Sequence, residues 1–252
     1  MNDNKRIGTA VSFIPVAGLV LALAAGAVAG LAGFGSRMNL WHFRIGFTIL
    51  KWAAYGGLAA AVISFAGVLL TVKNGYLRSV VYGLAGIVLG GAVFVLPLHW
   101  RMQATRVPPI HDITTDIVHP PQFVTILPLR KDAPNPAAYG GPEVAIKQRL
   151  AYPDIQTLIL NAPRPQAFEQ ALAAGRAMGW RIVATEPQEG RIEATDTTFW
   201  FGFKDDIVVR ITAADEHRSL VDVRSVSRVG RSDVGKNAAR IRCYLGRIKS
   251  GR

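Results

Sequence analysis

The chain has 252 residues, half of them hydrophobic, a formal net charge of +12 and a single cysteine. One cysteine excludes an internal disulfide framework and a cysteine-built zinc site. Residues 1–106 hold nine basic and one acidic side chain, residues 107–220 eleven and fourteen, and residues 221–252 nine and two, which is not the uniform basic face of a nucleic-acid binder.

From Val11 to Phe34 the chain carries no charge, a stretch longer than the ~20 residues that cross a hydrocarbon core. Two further apolar spans follow, about Trp52 to Val72 and about Val80 to Leu98, joined as a helical hairpin by Lys73–Arg78. Trp41, Trp52, Tyr55, Tyr76, Tyr82 and Trp100 lie near the span ends, where amphipathic rings prefer the headgroup region. Gly18, Ala22, Gly26 and Gly30, and again Gly86 and Gly90, recur at four-residue spacing, which allows close helix approach. No Asp, Glu, Lys, Arg or His falls within these spans, so an anchor is the expected role rather than a pump or transporter.

Lys5 and Arg6 precede the first span and favour a cytoplasmic N-terminus. Three crossings then put the C-terminal part outside. A cleavable signal ending near Ala27-Val28-Ala29, followed by two crossings, gives the same side.

Eleven of the fourteen prolines fall between Pro108 and Pro165. Residues 107–161 therefore read as an extended, turn-rich segment that either packs on the following domain or spaces it from the bilayer. Residues 162–252 read as an α+β domain: a helix from Pro165 to Met178, strands at Arg181–Glu186, Arg191–Thr195, Ile207–Thr212 and Ser219–Arg228, and a helix from Ser232 to Ile248. Phe199–Phe203 extends or bulges the second strand. The expected fold is three N-terminal transmembrane helices followed by a two-layer α+β domain, with an antiparallel sheet of about four strands and two flanking helices. Val234, Ala238, Ile241, Leu245 and Ile248 form the apolar stripe of the last helix. Lys236, Arg240 and Arg247 lie off that stripe, and Cys243 reads as a lone buried thiol.

The candidate site residues cluster around Asp222–Ile241. Strand alternation sets Arg224 and Arg228 opposite the core-facing Val221 and Val223. Ser232-Asp233 reads as a helix N-cap, and the N–H groups that follow it could hold an anion. Arg224, Ser225, Ser227, Arg228, Lys236 and Asn237 are the candidate anion ligands; the alternative is a network of internal ion pairs with Asp205, Asp206, Asp222 or Asp233. Asp205-Asp206 is an acid–base or metal pair, or else a turn or ion pair. His111, Asp112, Thr115 and Asp116 gather a histidine, hydroxyls and carboxylates, for which turn and capping roles are expected. No cofactor or metal site is expected, and the Walker, GxSxG, HExxH and CxxC patterns are missing.

The motifs PPIHDITTD, NPAAYGG, AYPDIQTL, MGWRIV, GRIEATDTTFWFGFKDDIVVRI and VDVRSVSRVGRSDVGKNAARI resemble the domain-of-unknown-function 1499 family, over about Val107 to Ile248, in its membrane-anchored subset. The resemblance implies no reaction. It implies that Asp205, Asp206, Arg224, Ser225, Ser227, Arg228, Asp233 and Asn237 form a shared signature, joined by His111, Asp112, Thr115 and Asp116. The expected function is a non-enzymatic protein of the bacterial inner membrane, with a periplasmic domain that binds an anionic ligand or an envelope protein and with no nucleic-acid partner. The alternatives are an envelope hydrolase using His111, Asp205 or Asp206, and a structural subunit of a membrane complex.

Overall fold

The computed structural model describes residues 2–73 and 75–251, with side chains from residue 12 onward. The side chains of Lys5, Arg6 and Val11 lie outside what is described, as do Asn74 of the Lys73–Arg78 turn and Arg252. The chain divides into two compact units, one of helices and one α+β.

The helical unit contains α1 (Asn2–Arg37), α2 (Phe43–Val72) and α3 (Leu77–Arg106), all long and apolar enough to cross a membrane. Helix α2 starts nine residues before the expected span, because His42 caps it through Nδ1, which accepts from the Arg44 N–H at 3.3 Å. The interior of the bundle is small: Ala22, Ala32, Ala53, Ala60, Ser64, Gly67 and Gly86 are buried. Large residues such as Leu23, Val62, Phe65, Leu69 and Val88 are exposed. This inversion is how helices pack in lipid, where large apolar side chains gain nothing by turning inward. Gly57 and Gly90 abut each other's backbone, and a Cβ on either would meet the other's carbonyl oxygen. Phe199–Gly202 belongs to this unit. It is a turn rather than a strand extension, with the Trp200 indole N–H donating to the Gly30 carbonyl at 3.0 Å and the Phe201 ring in tilted contact with Phe47, centroids 5.0 Å apart.

The α+β unit is an antiparallel sheet of six strands, the expected core of about four joined by two short ones. β3 (Arg181–Glu186), β4 (Arg191–Thr197), β5 (Lys204–Ala213) and β6 (Ser219–Ser227) are the four expected strands, and they pair in sequence order as a meander. The two additional strands are β1 (Asp112–Thr114) and β2 (Leu158–Leu160), both from the proline-rich segment and both paired with the free edge of β6. At three residues each they are too short for alternation to announce them. The same segment also holds α4 (Gly141–Ala151), which has Pro142 in its first turn, where a missing N–H costs nothing.

Helices α5 (Arg164–Ala177) and α6 (Lys236–Ser250) cover one sheet face. Phe168, Leu172, Ile241, Tyr244 and Leu245 pack there against Ile192, Ile207, Val209, Val221 and Val223. On the opposite face Phe123 and Ile126 close over Val208 and Val226. Burial on both faces explains the unbroken apolar run Ile207-Val208-Val209, in which each residue is buried. The last helix begins at Lys236, not Ser232, so Val234 lies before it, at φ 55°. Cys243 is exposed, not buried, because the stripe that faces the sheet is Ala238, Ile241, Leu245 and Ile248, joined by Tyr244.

Candidate functional site

Alternation along β6 sends Asp222, Arg224 and Val226 to one face and Val223, Ser225 and Ser227 to the other. Arg228 follows the last strand residue on the first of these faces. The six candidate anion ligands therefore do not converge. The arginines lie under the proline-rich segment, while the serines lie under α6, which carries Lys236 and Asn237 in its first turn.

On the arginine face, Arg224 is fully buried and clamps Asp112 on the neighbouring β1, Nε to Oδ1 at 2.9 Å and Nη2 to Oδ2 at 2.7 Å. Its remaining N–H groups donate to the carbonyls of Pro121 and Ala137. The guanidinium lies between the rings of Phe123 and Tyr139, at 5.3 and 5.4 Å. Arg228 clamps Asp206 through Nε and Nη2, both at 2.8 Å. Asp206 also accepts from Arg130 at 2.5 Å and from the Thr195 hydroxyl at 2.7 Å. Asp222 accepts from Thr115, Thr157 and Arg210, and Arg210 also holds Asp116 at 2.9 Å. Glu193, fully buried, accepts the backbone N–H groups of Val124, Thr125 and Ile126 and pairs with Arg191.

On the helix face, Asn237 accepts from the Ser225 hydroxyl at 2.7 Å and donates to Ser227 Oγ and to the His111 carbonyl. Arg240 is buried and donates to Asp205 at 2.6 Å and to Asp196 at 2.9 Å, so it does not belong to a solvated basic face. Ahead of α6, the Asp233 carboxylate accepts the N–H groups of Gly235 and Asn237, both at 2.8 Å. The start of this helix thus carries an internal anion. Burial pushes the Asp233 pKa up, against those two N–H groups, and the nearby Asp205 charge adds to the rise. Asp205 and Asp206 lie within β5 rather than in a turn, and their side chains leave opposite faces toward different arginines. They cannot serve one reacting atom.

His111 takes part through its carbonyl, which accepts from the Ser227 N–H at 3.0 Å. Asp116 forms the expected turn, its Oδ1 accepting from the Val118 and His119 N–H groups. Burial raises the Asp116 pKa, but those N–H groups and Arg210 outweigh it and leave the carboxyl below its ordinary value. Among the described residues, no group of three or more His, Cys, Asp or Glu is placed to hold a metal ion.

Two of these ion pairs, Arg224–Asp112 and Arg210–Asp116, lie next to residues that line a surface groove. The groove, of about 390 Å³, is lined by Ile117, Val118, Tyr139, Pro142, Ile146 and Arg149 among others. Each wall rests on the polar framework: the Asp116 turn sets Val118, and Arg224, itself held by Asp112, lies against the Tyr139 ring. Helix α4 is docked by Gln148, whose amide pairs with both the N–H and the carbonyl of Thr114 as an added strand would. Val118 is 71% and Ile146 60% exposed, and Leu150 on the same helix 81%. The Tyr139 hydroxyl is buried and has no hydrogen-bond partner among the described residues. Sequence reasoning missed this groove. Pro142 just after Gly140-Gly141, followed by the Glu143–Lys147 pair one turn apart, was the available signal for α4.

Three apolar helices joined to a sheet domain held by internal ion pairs define a membrane-anchored protein with an α+β module. Residues 112–248 match the family described as Protein of unknown function (DUF1499), and the chain belongs to that family. No curated protein matches the chain.

Proposed function

We propose that this chain is a non-catalytic binding protein of the bacterial inner membrane, with its α+β domain on the periplasmic side and the groove beside α4 as its binding face. The observation that carries the reading is the pairing of the signature. Of its carboxylates, Asp112, Asp116, Asp205 and Asp206 each hold an arginine of the same domain, as does the neighbouring Asp222, while Asp233 accepts backbone N–H groups. A general acid or base must reach a substrate proton, and an anion site needs donors not already committed to carboxylates. Exposed Val118, Ile146 and Leu150 instead offer apolar surface beside the groove. Lys5-Arg6 ahead of the first of three spans supports the periplasmic placement.

The test is a photoreactive benzoylphenylalanine at position 118 of the full chain in its own cells. The reading expects a discrete adduct of defined mass that disappears in Ile146→Glu. Labelling no greater than at exposed Thr212 would count against it. A reporter fused at the C-terminus tests the side of the membrane, and cytoplasmic reporter activity would overturn that part.

A further inference from the structure

The groove lining carries no acidic side chain. Its one cation, Arg149, is exposed and makes no ion pair among the described residues, unlike Arg210, Arg224, Arg228 and Arg240 of the same unit. The remaining walls, Ile117, Val118, Pro142 and Ile146, are apolar, as is the face of the Tyr139 ring, whose hydroxyl is buried and without a partner among the described residues. That hydroxyl stays protonated, because burial and the Asp112 charge push its pKa up to about 12 against the lowering effect of Arg224. An apolar trough with one free cation complements a molecule with an apolar body and an anionic end. The three spans bring the chain to a bilayer, which is a source of such molecules.

We infer that the groove takes a single-chain anionic amphiphile of the fatty-acid class, its acyl chain along Val118, Pro142 and Ile146 and its carboxylate at Arg149. This inference rests on the groove being the binding face and adds the chemical class of its occupant. Arg149 would fix the orientation of the chain, and the apolar walls would supply most of the affinity.

The test uses the full chain in phosphatidylcholine nanodiscs with a diazirine-bearing lauric acid as probe and its methyl ester as the uncharged control. Cross-linked peptides are mapped by mass spectrometry. The inference expects lauric-acid labelling within residues 117–149 that exceeds ester labelling by up to roughly fivefold, the most that one exposed ion pair allows. Arg149→Gln should erase that preference without lowering ester labelling, and Ile146→Glu should remove both. Equal labelling by acid and ester, unchanged in Arg149→Gln, would overturn the anionic class and leave the groove as a binding face. No labelling within residues 117–149 by either probe would overturn the class and the groove reading together.

Discussion

Arg224 and Asp112 form a two-pronged ion pair across neighbouring strands, with 0% and 4% of their surfaces exposed. Each is the other's charge partner in a region closed to water. Removing one leaves a buried charge, which costs about 3–5 kcal/mol, whereas replacing both with apolar residues of similar volume is far less costly. Asp112→Asn should therefore lower the unfolding temperature of the full chain in mild detergent more than the double variant Asp112→Leu with Arg224→Met. The reverse order would show that the pair is not the stabilising unit.

Asp206 sits between two guanidiniums and accepts a hydroxyl hydrogen bond as well. Asp206→Asn should be the most damaging change at this site, because it leaves both Arg130 and Arg228 without their carboxylate. Arg228→Ala should be milder, by about 1–2 kcal/mol, since its side chain is 14% exposed and Arg130 still neutralises Asp206. Chemical unfolding of the three chains side by side gives the order.

In the helical unit, Ser64 is buried where the backbones of Gly18 and Gly86 close on it. A side chain at Gly86 would overlap the serine, and Gly86→Leu should destabilise the bundle by about 1–3 kcal/mol. Gly91, on the same helix, has open space at its Cβ position. Gly91→Ala should leave thermal stability unchanged or slightly raised, as alanine favours helix. Similar losses for both variants would contradict this packing.

Asp116 supplies an acid-side prediction. Its pKa lies below the ordinary 3.8 in the folded chain. A lowered carboxyl stabilises the fold above its unfolded value and loses that contribution as pH falls through the folded value. The stability gap between wild type and Asp116→Asn should therefore be open near neutral pH and narrow as the pH falls below the ordinary carboxyl value. A gap that widened in acid would reverse the assignment.

The sequence revealed the three spans and the four longer strands because both are patterned over many residues, at helical length and at strand alternation. The opposite facing of Arg224 and Val223 followed from the same alternation. What stayed hidden was non-local. Asp112 meets Arg224 only because β1, 112 positions upstream, pairs with β6, and three-residue strands carry no period. Asp233 was readable as a capping carboxylate, but not its place two residues ahead of Gly235, because Val234 and Gly235 both take positive φ. The groove was hidden for a related reason: its walls, Val118, Tyr139 and Ile146, come from a turn, a loop and a short helix with no shared pattern.

The central claim is that the charged signature holds the domain together and shapes the groove rather than binding or reacting. Replacing the Arg224–Asp112 pair by methionine and leucine removes both charges and keeps volume near Phe123 and Tyr139. Labelling by the photoreactive lauric acid should then remain within about twofold of wild type in the folded double variant. A variant folded at wild-type abundance that had lost labelling at residues 117–149 would show that these charges themselves make the site.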